Sequence, residues 1–250
     1  MERVLLKMSG EAVVDVEGEH VISAERLDVF CRQIALARAD RPMLSLSVVV
    51  GGGNILRGKQ LEGVDRTKAD YMGMLATVIN ALALGDAMDK LGLESRVMTG
   101  IEMPRVAEPF ILGRALRHLQ KNRIVIFAGG TGNPYFTTDT AAALRAAEIG
   151  AEVILLAKFG TDGVYDKDPR QFADAKKYRQ MSFNTLMTQN LQVMDSTAVS
   201  LCRDNGTPIY VFDMEAENAV TDALLGGRKF GTLITESAPD VFEQEVVSRA

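Results

Sequence analysis

Two lysines, two aspartates and a set of glycine runs are the residues whose types and spacing could do chemistry. Lys7 follows the apolar Val4, Leu5 and Leu6 and precedes Ser9 and Gly10, while Lys158 follows the apolar run Val153 to Ala157. The richest stretch runs from Ile124 to Asp139. There an apolar segment empties into Gly129, Gly130 and Gly132, then into Thr137, Thr138 and Asp139 ahead of an alanine-rich segment. A strand that ends in glycines presents bare backbone amides, and a helix start adds unpaired N–H groups and a positive dipole end, so this stretch can hold an anion. The same pattern fits a plain strand-to-helix turn in which Thr138 or Asp139 only caps the helix. Lys7 by itself reads as a solvated strand end. Asp195, before Ser196 and Thr197, has the chemistry of an N-cap.

Gly53, Gly58 and Lys59 nearly reproduce a phosphate-binding P-loop. Gln60, however, stands where that motif uses Ser or Thr to hold magnesium, and Gly63, Val64 and Asp65 follow instead of a clean helix start. The P-loop reading fails on both counts. What remains is the triple glycine Gly51, Gly52 and Gly53 at a strand end, where backbone can approach a phosphate closely, with Arg57 in reach. Asp70 heads a long apolar pattern and could serve the helix dipole or face a ligand hydroxyl or imide N–H.

The elements that must position these groups alternate. Strands are expected over 4–6, 44–50, 93–98, 124–127, 153–157, 209–212 and 231–235. Helices are expected over 22–38, 66–90, 107–119, 138–149, 183–190, 195–204 and 216–225. The helix over 66–90 rests on Tyr71, Met74, Leu75, Val78, Ile79 and Leu82, and Gly150 should close the one over 138–149 as a C′ residue. Residues 170–181 read as an inserted polar loop, and Glu236 to Ala250 as a tail or short docking helix. Strands that are continuous apolar runs separated by helices predict an α/β fold, a three-layer αβα sandwich around a mainly parallel sheet. In open α/β sheets ligands sit outside the carboxyl ends of the strands, where all the candidate residues fall.

Composition narrows the classes. The 250 residues carry a net charge of −5, which argues against a nucleic-acid surface, so any phosphate must be held by a few local cations. Only two histidines, His20 and His118, are present and no ligand cluster surrounds them, so no protein metal site is expected. Cys31 and Cys202 read as reduced core residues, which suits the cytoplasm. The start has no signal-peptide pattern and no apolar run is long enough to cross a bilayer.

Taken together, Lys7 to Glu11, Gly51 to Asn54, Ala69 to Met74 and Thr131 to Asp139 carry a resemblance. Over residues 2–236 the chain resembles the uridylate (UMP) kinases, bacterial enzymes of the amino-acid kinase fold family. The resemblance implies one domain over 1–236, with an acceptor-binding part over about 1–150 and an ATP-binding part over about 151–236, and a tail over 237–250. It implies that Lys7, Met8, Ser9, Gly10, Gly53 and Arg57 lie along ATP, with Phe159, Tyr165 and Asp168 at its nucleoside. Gly52, Asp70, Thr131, Gly132, Asn133, Pro134, Tyr135, Phe136, Thr137 and Thr138 would hold UMP. Lys158 would meet the transferring phosphoryl group, with Asp139 and Asp195 orienting the lysines or the Mg2+ that travels with ATP. Relatives are typically homohexamers activated by GTP and inhibited by UTP, and Arg96 and Arg123 fall where they contact GTP. Met8 replaces a usual leucine, and Phe159 stands where many relatives carry a polar residue. A kinase of the same fold acting on carbamate, acetylglutamate or aspartate is an alternative, as is a non-catalytic nucleotide-binding or oxyanion-storage protein.

Overall fold

The computed structural model describes residues 3–15, 20–56, 63–227 and 230–243. In chain order the elements are β1 (Arg3–Met8), a 3₁₀ turn (Gly10–Val13), α1 (Ala24–Asp40), β2 (Ser45–Val50), α2 (Arg66–Lys90) and β3 (Ser95–Thr99). Then come β4 (Glu108–Pro109), α3 (Leu112–Gln120), β5 (Ile124–Ala128), α4 (Thr138–Ile149), β6 (Val153–Lys158) and β7 (Val164–Tyr165). The last are β8 (Lys177–Ser182), α5 (Phe183–Thr188), α6 (Ser196–Asp204), β9 (Ile209–Asp213), α7 (Ala219–Leu224), β10 (Thr232–Thr235) and β11 (Val241–Phe242).

One sheet contains all the strands, in the order β11-β8-β10-β9-β6-β1-β2-β5-β3-β4, with β7 beside β8. From β9 across to β4 every pairing is parallel. β10 then runs antiparallel to β9, and β7 and β11 antiparallel to β8. The chain first builds outward from β1 through β2 and later returns to lay β6 on the other side of β1. That reversal of direction opens a crevice at the carboxyl ends of β1 and β6.

Side chains of a strand alternate between faces. Val4, Leu6 and Met8 join one core with α1, α2 and α7, whereas Leu5 joins the other with α3, α4, α5 and α6. The two helical layers and the sheet between them are the expected three-layer sandwich. Cys31 lies in the first core and Cys202 in the second, so the sheet separates them. Burial pushes both thiols up to about 12.

Several expectations need correcting. Part of the supposed loop over 170–181 is strand β8, with Tyr178 and Met181 buried. Its exposed Arg179 and partly exposed Lys177 and Gln180 hid the pattern. The helix expected from 107 begins at Leu112, because Glu108–Pro109 pairs with β3 at the sheet edge; an edge strand tolerates a proline, which has no N–H to give. The stripe on α2 splits: Met74 and Val78 are buried, whereas Tyr71, Leu75, Ile79 and Leu82 are exposed. With apolar residues on both sides, α2 also reaches the length and hydropathy of a bilayer span, at a mean hydropathy of 1.3, contrary to expectation. Half of that window is buried against the sheet, as a core helix would be.

Candidate functional site

β1 and β6 are neighbours, and each carries a lysine in its last two residues, pointing to the α4 and α6 face. Lys7 is only 8% exposed, and its Nζ lies 2.6 Å from Oδ1 of Asp139. That oxygen makes no aligned hydrogen bond, so the contact is one of charge. Lys158 donates from Nζ to the carbonyl of Val193 at 2.5 Å. Burial lowers its pKa; the Asp139 carboxylate opposes that, and Lys7 adds a smaller downward push. The two ammonium groups and Asp139 therefore form one electrostatic unit at the crevice.

Asp139 owes its position to the start of α4. The N-cap is Thr137, and not Thr138 or Asp139 as the sequence pattern suggested. Its Oγ1 accepts the N–H groups of Asp139 at 3.1 Å and Thr140 at 3.4 Å. Asp195 caps α6 as expected, accepting the Ala198 N–H at 2.9 Å. Its other oxygen accepts the hydroxyls of Thr137 and, at 2.9 Å, Thr140. Asp195 thus ties the first turns of α4 and α6 together, and its carboxylate is already committed to three donors.

The glycines answer to close approaches. A Cβ on Gly10 would come within 2.5 Å of Asn54 Oδ1 and 2.8 Å of the Gly51 carbonyl. One on Gly52 would stand 2.9 Å from both Ala76 Cβ and the Gly73 carbonyl of α2. Gly53, by contrast, faces open space. Gly129, Gly130 and Gly132 all have positive φ, the left-handed conformation that only glycine adopts without strain. Tyr135 shares it, at φ 71°, which for a bulky side chain costs on the order of 1–3 kcal/mol. What holds it there is Asp70, whose Oδ2 accepts the Tyr135 N–H at 2.7 Å while Arg66 grips both carboxylate oxygens at 2.9 Å.

The structure therefore brings together most of the sequence candidates. Asp70 meets the Thr131 to Thr138 run, in which Thr131 and Asn133 fold onto each other while Tyr135 and Phe136 are exposed. Ser9 caps the 3₁₀ turn after β1, accepting the Glu11 N–H at 3.4 Å. Tyr165 and Asp168 share a cavity of about 420 Å³ with Lys158. The Tyr165 hydroxyl donates to Asp162 at 2.8 Å, and burial together with that carboxylate pushes its pKa up to about 12.

Two candidates are placed differently, and a third is not among the described residues. The Met8 side chain is fully buried in the core, so only its backbone can serve a ligand. Phe159 follows Lys158 and by strand alternation points to the opposite face, 45% exposed beneath the Arg26 guanidinium at 5.8 Å. Arg57 lies outside the described residues. Far from the crevice, Arg96 and Arg123 converge on Glu94, at 2.9 and 2.8 Å. Thr77 and Asn80 of α2 also reach the loops after β2 and β5; the sequence signal for them is two polar residues at i and i+3 in an apolar helix.

Among the described residues no group of three or more His, Cys, Asp or Glu side chains could hold a metal. A cation that arrives on a phosphate substrate would meet Asp139, the carboxylate beside the two lysines, whose Oδ1 is paired by charge with Lys7.

A central crevice, two strand-end lysines and glycine-lined loops on a three-layer sandwich describe a phosphoryl-transfer scaffold, and the sequence profile of the Amino acid kinase family matches residues 2–213. The chain belongs to that family. Among solved structures it is similar to the UMP kinase of Bacillus anthracis, with a TM-score of 0.91 and 40% identity over 97% of this chain and 99% of that one. It is also similar to the UMP kinase of Ureaplasma parvum, with a TM-score of 0.88 and 36% identity over 94% of this chain and 99% of the other.

Proposed function

We propose that this protein transfers the γ-phosphoryl group of ATP to UMP, giving UDP and ADP. The observation that carries the reading is the unit of Lys7, Lys158 and Asp139 at the adjoining ends of β1 and β6. UMP offers a phosphate oxygen that is already ionised, so no general base is needed. That oxygen attacks the γ-phosphorus in line, the bond from it to the bridging oxygen breaks, and ADP leaves with the electron pair. What the protein must supply is alignment and positive charge on the moving group.

Lys158 meets that group and Lys7 runs along the ATP phosphates, with the Asp139 carboxylate offsetting the repulsion between the two ammonium groups. Asp195 acts by fixing the starts of α4 and α6. Ser9, Gly10 and Gly53 line the phosphates, and Tyr165 and Asp168 line the nucleoside cavity. Gly52, Asp70 and the run from Thr131 to Thr138 hold UMP. In that run the Thr137 hydroxyl is spent on Asp195, which leaves Thr138 to face the acceptor phosphate. Mg2+ enters with ATP as part of the substrate. The acceptor part over about 1–150 and the ATP part over about 151–236 meet at the crevice.

The exposed Tyr71, Met72, Leu75, Ile79 and Leu82 on α2 suit a second copy of the chain, and we assign this face to a homohexamer. Arg96 and Arg123, held close by a single carboxylate, suit a GTP activator; UTP, as a product-like uridine nucleotide, suits inhibition at the acceptor site. Two reduced, buried cysteines suit the cytoplasm.

The test is ADP release with UMP, CMP, carbamate, acetylglutamate or aspartate as acceptor. UMP should be preferred, and Lys7→Ala and Lys158→Ala should each lose about 10²–10³ in turnover while UMP still binds. Unchanged turnover in both variants would sink the assignment.

A further inference from the structure

The helix α2 carries two buried polar side chains on its core face, Thr77 at 3% and Asn80 at 1% exposure. Burying such groups is costly unless each polar atom has a partner, and an apolar residue of similar size would have fitted either position. Both are fully partnered, and the partners are the two glycine loops. The Thr77 hydroxyl donates back to the Met74 carbonyl at 2.7 Å, which leaves its oxygen free to accept the Gly129 N–H at 2.8 Å. Asn80 donates from Nδ2 to the Gly51 carbonyl and to Asn54 Oδ1, both at 2.7 Å, and accepts from Asn54 Nδ2 at 3.1 Å.

Asn54 in turn donates to the Val21 carbonyl at 2.8 Å, and its Oδ1 closes the space beside Gly10. The loop that Asn80 anchors therefore includes Gly53 and packs on the turn after β1. Thr77 anchors the loop that opens the Thr131 to Thr138 run. The anchors are three residues apart on one helix, about 4.5 Å along its axis.

We propose that Thr77 and Asn80 are positioning residues for phosphoryl transfer, which use one rigid helix face to set the spacing between the loop after β2, which carries Gly52 and Gly53, and the loop after β5, which opens the Thr131 to Thr138 run. A helix interior is stiffer than either loop. Two reactants held by separate glycine loops need such a shared reference to stay in line. The roles rest on the transfer of phosphoryl from ATP to UMP proposed above.

Steady-state constants for both substrates, with thermal unfolding of every variant, provide the test. Thr77→Val keeps the shape and removes the hydroxyl; kcat/KM for UMP should fall about tenfold, the loss of one net hydrogen bond, while KM for ATP is unchanged. Thr77→Ser should restore it. Asn80→Leu should raise KM for ATP through Gly53 and KM for UMP through Gly52, and Asn54→Ala, at a partly exposed position, repeats that arm if Asn80→Leu fails to fold. Folded variants with wild-type constants, a KM for ATP that rises in Thr77→Val as it does in Asn80→Leu, or no recovery in Thr77→Ser would overturn the inference. A wild type that does not phosphorylate UMP overturns the functional reading and the inference with it; an active wild type isolates the inference.

Discussion

Lys158 shows how far a single residue's environment can depart from its type. Its burial lowers its pKa below the ordinary 10.5, with Asp139 opposing and Lys7 assisting. Below the folded pKa the lysine is charged both folded and unfolded, so its desolvation cost is fully present. Between that pKa and 10.5 the unfolded chain binds more protons, and stability rises with pH. Replacing it by methionine removes the titration. Urea unfolding should therefore show the difference between wild type and Lys158→Met shifting in favour of wild type as pH climbs towards 10.5; a constant difference would refute the assignment of the shift to Lys158. That a lysine follows each of two strands was legible in the sequence. That Asp139 stands between them was not, because it depends on where α4 lands on the sheet.

At the scale of elements, strands made of continuous apolar residues and helices with clean caps were legible, and Gly150 ends α4 in the left-handed conformation as expected. What misled were segments whose burial is partial. β8 is paired on both sides yet covered unevenly, so its residues alternate poorly, and α2 is apolar on the face it shows to water as well as on the face it buries. The loops after β2 and β5 carry glycines where the sequence predicts ligand approach, and Gly52 is in addition required by the packing of α2. Gly52→Ala should destabilise the fold by about 1–3 kcal/mol through collision with the Gly73 carbonyl and Ala76. Gly53→Ala, which meets nothing within 4 Å, should melt with wild type and raise KM for ATP. Thermal unfolding of the two variants separates a glycine that packing also requires from one that faces open space. Equal melting temperatures would contradict the distinction.

For the whole molecule the exposed apolar face of α2 is the feature that a lone chain does not explain. Tyr71, Met72, Leu75, Ile79 and Leu82 are each between 39% and 49% exposed, on a helix whose other side holds the loops after β2 and β5. Replacing Leu75 and Ile79 together by glutamate should leave the chain folded and reduce its mass by light scattering to a smaller species, since charge on that face is tolerated in water and not in an interface. A wild type that is monomeric across the accessible concentrations would rule out association through α2. If the assembly forms, activity measured on dilution links it to the loops that Thr77 and Asn80 hold.

By itself the sequence determined the layer architecture, the placing of the candidate residues at the carboxyl ends of the strands and the types of group that could work there. Periodicity, glycine positions and strand-end lysines are local properties, and local geometry translates them directly. Tertiary structure alone decided which of those groups meet. Strand alternation sends Lys158 to the crevice and Phe159 to the opposite face. The landing of α4 and α6 joins Asp195 to Thr137, and the packing of α2 gives Thr77 and Asn80 their partners. Each of those contacts joins residues far apart in the chain, and its geometry depends on packing that no short window of sequence contains.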